Sequence, residues 1–272
     1  MALHKKEGNE LVTICHHLKL PSVKDGKKYL ADIQGMFRIV QSMGVHMYKL
    51  FFKRVVDIIC ALMAIIVFSW LYIIVAILVR VNLGSPVIFK QPRPGKNCKI
   101  FTLYKFRTMT DERDSDGNLM PDDVRLTKFG KFLRKTSLDE LPEAFNILFG
   151  HMSVVGPRPQ LVRDMVFFSD EQMKRQSVTP GLTGLAQVSG RNGITWEEKI
   201  NFDLEYIKKI TFCKDVKIIF LTVWKAFVKS DGISQEGMDT SEDFGDYLLR
   251  TDKVSKEEYD KKQKDAKELL KV

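Results

Sequence analysis

From Ile58 to Val79 the chain carries no charged residue, reading IICALMAIIVFSWLYIIVAILV. At about 1.5 Å of rise per residue, roughly 20 apolar residues in a helix reach across the hydrocarbon core of a bilayer. The alternative, a buried core helix, usually keeps a polar stripe in a domain of this size. The charges gather at the two ends of the run. Lys49, Lys53 and Arg54 precede it; Arg80, Lys90, Arg93, Lys96 and Lys99 follow it, and Asp57 is the one acid nearby. Lysine and arginine mark the cytoplasmic side of a membrane, so two basic flanks are expected if both ends return to that face. The pattern predicts a re-entrant membrane helix over 49–81, with a single crossing as the alternative. Ser69 is the one weak candidate for the turn, since the run holds neither glycine nor proline. Backbone opened at membrane depth must find its partners within the protein, so a break there requires support from elsewhere in the chain.

A formal net charge of +9 calls for an anionic partner: nucleic acid, an anionic membrane surface or a phosphorylated substrate. The apolar run argues against nucleic acid. Cys15, Cys60, Cys98 and Cys213 form no CxxC pair, so neither a disulfide framework nor a structural zinc site is expected. The polar, mixed-charge N-terminus does not have the pattern of a cleavable signal peptide. Near the other end, residues 216–229 (VKIIFLTVWKAFVK) set Ile219, Phe220, Val223, Trp224 and Phe227 among Lys217, Lys225 and Lys229. That pattern suits a helix lying in the bilayer interface, or one covering a soluble core.

The expected fold class is α+β, mainly helical, with amphipathic helices around an active site at the cytoplasmic face. Its parts are an extension over 1–48 with a helix near 33–47, the membrane helix over 49–81, a catalytic domain over 82–234, and an extension over 235–272. Within the catalytic domain, strands at 86–91 and 99–106 flank the turn cluster Pro92-Arg93-Pro94-Gly95. Helices are expected at 126–134, 141–149, 160–169, 171–177, 195–209 and 215–229, with an exposed one at 255–270. The stretches 111–123, 153–159 and 180–193 read as loops.

The chemistry concentrates in Arg134-Lys-Thr-Ser-Leu-Asp-Glu-Leu-Pro142. Proline is tolerated in a helix's first turn, which puts Asp139 and Glu140 at a helix start. Two readings fit. Ser137-x-x-Glu140 matches a capping box. Equally, free N–H groups at a helix start attract anions, and an ionised Asp there can attack phosphorus while a second carboxylate holds a divalent cation or moves a proton. An anionic nucleophile meeting an anionic phosphate needs cations around it. Arg158 in Gly-Pro-Arg-Pro-Gln, Arg191 in Ser-Gly-Arg-Asn-Gly, and Lys105 and Arg107 in Tyr-Lys-Phe-Arg-Thr-Met are the candidates.

In order, KRVVD, the hydrophobic run, FKQPRPG, FTLYKFRTMTDERD, RLTKFGKFLRKTSLDELPEAFNILFGHMSVVGPRP and TPGLTGLAQVSGRN resemble the bacterial sugar transferase family of monotopic polyprenyl-phosphate phosphoglycosyl transferases. The resemblance runs from about Tyr48 to Ser234. It implies transfer of sugar-1-phosphate from a UDP-sugar to undecaprenyl phosphate, with release of UMP, at the cytoplasmic face of the bacterial inner membrane. It implies that Asp139 attacks the β-phosphorus and that the acceptor phosphate then displaces it. Glu140 assists through Mg2+ or a proton, so Asp139 and Glu140 are also the expected metal ligands. The resemblance further places Arg134, Arg158, Arg191 and Asp215 among the functional residues, with Arg158 and Arg191 on phosphate and Arg134 and Asp215 as substrate contacts or structural ion-pair partners. Where the family has Ser-Pro in its membrane helix, this chain has Ser69-Trp70. A membrane-tethered scaffold without chemistry is the rival reading, and self-association as a homo-oligomer stays open.

Overall fold

The structure, a computed structural model, describes residues 44, 45, 47–190, 193–228 and 242–271. The expected helix near 33–47 and Arg191 lie outside the described residues, save 44, 45 and 47. The chain divides into a unit over 1–50 and one over 51–272; the second carries the fold treated below.

The apolar run forms two helices, α1 (Lys53–Val67) and α2 (Ser69–Leu83). They meet at a 64° bend, and no single helix among the described residues is long and apolar enough to cross a membrane. The break falls at Phe68 (φ −96°, ψ 11°), one residue before Ser69 and without a proline. Such dihedrals lie in the sparsely allowed bridge region, so the support has to come from contacts. On the α1 side, Arg54 donates to the Ile147 and Leu148 carbonyls at 2.5 and 2.7 Å. The buried Asp57 carboxylate accepts from the Ser153 hydroxyl and the Val154 N–H. On the α2 side, the Tyr72 hydroxyl donates to the Leu141 carbonyl at 2.5 Å. Val75, Val79 and Leu83 are buried against Phe106 and Leu133. Both halves are therefore tied to the same body of protein. Their other faces expose Ile59, Met63, Ile66, Trp70, Ile73, Ile77 and Val81.

The expected hairpin forms from β1 (Ile88–Pro94) and β2 (Ile100–Phe106), paired antiparallel. Its turn lies at 95–99 rather than at the proline cluster. Gly95 N to Lys99 O and Arg107 N to Val87 O close the ladder at odd-numbered positions of β1. Pro92 and Pro94 take the alternate positions, whose nitrogens face away from β2, and there a missing N–H costs nothing. After α3 (Asp122–Arg125) and α4 (Lys128–Lys135) come a 3₁₀ turn, Leu138–Glu140, and α5 (Glu143–Leu148). Asn146, fully buried, docks α5 onto β2. Its amide donates to Thr102 O at 2.7 Å and accepts from Tyr104 N at 3.0 Å.

Two segments read as loops contain a second, parallel sheet, β3 (Ser153–Val155) with β4 (Gly181–Thr183). Gly156 permits this approach: a Cβ there would stand 2.6 Å from Thr179 O and 2.9 Å from Gly181 N. Short helices α6 (Val162–Met165), α7 (Asp170–Met173) and α8 (Leu185–Ser189) follow the strands and their loops. Then come α9 (Trp196–Lys208), capped by Thr195 with Glu198, and α10 (Phe212–Val228). In α10, Asp215 and Ile218 are buried while Val216, Phe220, Val223 and Trp224 are exposed. The apolar face expected here thus points largely outward instead of covering a core.

The C-terminal helices are α11 (Phe244–Arg250) and α12 (Lys256–Leu269). Helix α12, expected to be exposed, packs on the protein through Ala266. Phe244, Val254 and Ala266 share one core with Val162, Phe167, Phe168, Trp196 and Ile200. Burying a large apolar side chain of this kind contributes about 1.5–3 kcal/mol, which holds the C-terminal segment in place.

Candidate active site

The Asp139–Glu140 pair sits in the 3₁₀ turn ahead of α5, and Pro142 is the N-cap residue of that helix. No capping box forms. Ser137 adopts the left-handed conformation (φ 56°) and its side chain caps nothing, at a backbone cost of about 1–2 kcal/mol. Glu140 is drawn elsewhere. Its Oε1 accepts from Lys105 Nζ at 2.8 Å and from Arg158 at 2.6 Å. Lys105 comes from β2, so the Asn146 contact that seats α5 on β2 also brings this ion pair together.

A third carboxylate, Glu143, completes the cluster. It is 2 % exposed and lies 3.1 Å from Lys105 Nζ, without hydrogen-bond alignment. Asp139 Oδ2 is 3.9 Å from the same ammonium. Position 143 lies one helical turn from 139 and 140, and that spacing is a signal the sequence reading passed over. Burial alone would raise the Glu140 carboxyl, but Arg158 and Lys105 outweigh it and hold it well below the usual carboxylate range. Asp139 goes the other way. Burial pushes it up to about 6, and Lys105, too distant to cancel this, lowers it only in part. Burial likewise carries Glu143 up to about 7. Burial acts to lower Lys105, yet Glu140 and Glu143 raise it on balance, so it stays a cation. Neighbouring carboxylates are thus split into one fixed anion and two proton-exchanging groups.

Arg158 is held by its backbone. The fully buried Arg175 donates to Arg158 O at 2.8 Å and, through Nε and Nη2, to Asp203 at 3.1 and 2.6 Å. Gly181 N donates to Pro157 O, and Arg93 Nη1 to Pro159 O. Arg93 was not singled out from sequence as a site residue, although Pro92-Arg93-Pro94 repeats the tripeptide Pro157-Arg158-Pro159. Burial and the nearby Arg158 lower Arg93 to about 10, still a cation at neutral pH.

A cavity of about 680 Å³ joins these groups. Its lining includes apolar side chains, Ala64 and Phe68 near the helix break with Ile219 and Val223 of α10, and charged ones, among them Arg93, Arg134, Glu140, Arg158 and Lys199. Asp139 is not itself a lining residue, though Ser137 and Glu140 on either side are. Among the other expected residues, Arg134 lines the cavity and donates to Thr108 Oγ1 at 3.1 Å. Arg107 is buried away from the cavity lining, bound to Met109 O, Ser85 O and Asp111. Asp215 is buried between Lys53 (2.6 Å) and the Tyr206 hydroxyl (2.8 Å), joining α10 to α1. Both positions are those of structural ties. Among the described residues, no group of three or more His, Cys, Asp or Glu stands in metal-holding geometry.

The profile of bacterial sugar transferases matches residues 48–229. The chain belongs to the bacterial sugar transferase family. One relative, the uncharacterized sugar transferase EpsL of Bacillus subtilis, is 50 % identical over 71 % of this chain and 95 % of its own length. The UDP-glucose:undecaprenyl-phosphate glucose-1-phosphate transferase of Klebsiella pneumoniae is 44 % identical over 65 % of this chain and 40 % of its own. The undecaprenyl-phosphate galactose phosphotransferase of Salmonella typhimurium is 38 % identical over 67 % and 41 %. This chain therefore spans about two fifths of the length of those two family members.

The Arg175–Asp203 pair predicts a measurable dependence. Arg175→Leu strands a buried carboxylate and should cost about 3–5 kcal/mol of stability. Arg175→Leu combined with Asp203→Leu should recover much of that loss in detergent melting curves, yet leave Arg158 O unheld. Equal instability of the single and double variants would contradict this.

Proposed function

We propose that the chain transfers sugar-1-phosphate from a UDP-sugar to undecaprenyl phosphate, releasing UMP. The observation that carries this reading is the cavity, whose lining combines cations and the Glu140 carboxylate with apolar side chains from the helix break and α10. A soluble diphosphate donor and a lipid phosphate acceptor must meet at one phosphorus atom, and such a cavity is open to both kinds of molecule. The activities for which the Klebsiella and Salmonella relatives are named support the same reaction class.

In the first half-reaction a carboxylate oxygen of Asp139 attacks the β-phosphorus. The bond from that phosphorus to the bridging oxygen breaks, and UMP leaves with the electron pair. In the second, an oxygen of undecaprenyl phosphate attacks the same phosphorus and frees the Asp139 carboxylate. Arg158, Arg134 and Lys105 offset the negative charge of the phosphates, with Arg191 expected to join them. Glu140 keeps Lys105 and Arg158 in place. Lys105 and Arg158 both bind Oε1 of Glu140, so Asp139 and Glu140 Oε2 would hold Mg2+ together with phosphate oxygens, in the way this ion is commonly held by one or two carboxylates. It would supply charge neutralisation at the diphosphate.

The bend, the exposed apolar faces of α1 and α2, and the ties of both helices to one body support a re-entrant arrangement. The active site would then face the cytoplasm at the inner membrane of a bacterium, at the membrane-bound first step of glycoconjugate assembly.

Three outcomes are expected. UMP release from a UDP-sugar panel, measured in nanodiscs with undecaprenyl phosphate, should fall by about 10³-fold or more in Asp139→Asn. Because Asp139 must be ionised and burial raises it to about 6, the donor half-reaction should slow as pH falls through that value, about tenfold per unit below it. Full activity of Asp139→Asn would refute the mechanism. Cysteines introduced before Lys49 should resist labelling from the periplasmic side, and their labelling there would refute the re-entrant arrangement.

A further inference from the structure

The family match ends at residue 229, yet the active-site cavity does not. Glu242 and Asp243, beyond the match, line it together with Trp196, Lys199 and Asp164. Their placement is built into the core. Trp196 Nε1 donates to Glu242 O at 3.1 Å, and Phe244 N donates to Asp164 Oδ1 at 2.8 Å. Arg163 pairs with Asp243, and Arg250 grips both carboxylate oxygens of Glu242 at 2.8 and 2.9 Å. Phe244, the first residue of α11 and 3 % exposed, anchors them to the core.

The cavity also holds an unmet demand. Gln187 lines it, and both its amide nitrogen and its amide oxygen are buried without a partner. A buried amide left this way costs free energy that a bound molecule with both donors and acceptors would recover. Sugar hydroxyls are such groups. With the lipid assigned to the apolar lining of Ala64, Phe68, Ile219 and Val223, the donor's sugar is assigned to polar lining such as Gln187.

We propose that the C-terminal segment is a sugar-selecting wall of the donor site. Glu242 and Asp243 accept hydrogen bonds from the hydroxyls of a neutral sugar and turn away sugars bearing a carboxylate. This inference rests on the transferase reading above. Arg163 and Arg250 fix the two side chains while leaving carboxylate lone pairs available, since each oxygen has two. A hydroxyl meeting a carboxylate makes a charge-assisted hydrogen bond, whereas the carboxylate of a uronate has no proton to donate to either side chain. The segment thus shapes selectivity without taking part in the phosphoryl steps.

A two-step exchange course lets the donor and acceptor steps be read separately. In the full-length protein in nanodiscs, Asp243→Asn and Glu242→Gln should each lower kcat/KM for the best neutral UDP-sugar by about tenfold. The value for undecaprenyl phosphate should stay unchanged. The use of UDP-glucuronate relative to that neutral donor should rise by a similar factor. Unchanged donor constants, or donor and acceptor constants falling together with an earlier melting transition, would overturn the inference and leave the transferase reading intact. Absence of UMP release from the wild-type chain would overturn both.

Discussion

Glu140 sits between two cations from different parts of the fold, Lys105 on β2 and Arg158 in the loop after β3, at 2.8 and 2.6 Å. In a partly buried setting such attractions are far stronger than in water. They convert three separate pieces of backbone into one site. The same arrangement explains why adjacent carboxylates differ. Glu140 takes up both cations at hydrogen-bond distance, so Asp139, at 3.9 Å from Lys105, is left with a rise to about 6. An acid near that value is ionised at neutral pH yet less stabilised by solvent and partners than Glu140, which suits a nucleophile.

The elements around this cluster serve its placement. Asn146 seats the helix that follows the Asp139–Glu140 turn on β2, and Arg175 with Asp203 holds the Arg158 loop. Arg54, Asp57 and Tyr72 bind the two apolar helices to that same framework. The bend at Phe68 is therefore a consequence of tertiary contacts and not of a local breaker. This accounts for Trp70 in place of the proline expected from the family pattern: anchoring at both sides of the bend replaces what a missing hydrogen bond would otherwise impose.

Long-range features explain where sequence reading succeeded and where it did not. The apolar run, the hairpin and helix α9 were legible because each has a strong local signal: absence of charge, strand pattern around turn residues, and a Thr195–Glu198 cap. The parallel pair β3–β4 was not, because strands of three residues are too short to show periodicity and acquire their partners across the chain. Asp139 and Glu140 stood out in the motif, but a capping box described Ser137 and Glu140 equally well. The choice between the two depended on Lys105 and Arg158, which lie 35 and 18 positions from Glu140. Arg107, taken from a motif, and Asp215, expected as a substrate contact or an ion-pair partner, stand in structural ties, while Arg93 and Glu143, not singled out from sequence, bind Pro159 O and stand beside Lys105. In each case the deciding fact was which buried partner a charge finds, and composition does not encode that.

Trapping the covalent species tests the role of Asp139 most directly. The protein is incubated with its UDP-sugar in the absence of acceptor, digested, and its peptides weighed by mass spectrometry. Attack by Asp139 predicts that the peptide containing it gains the mass of a sugar phosphate and loses that mass when undecaprenyl phosphate is added. An unmodified Asp139 peptide, with UMP appearing only when donor and acceptor are both present, would contradict it.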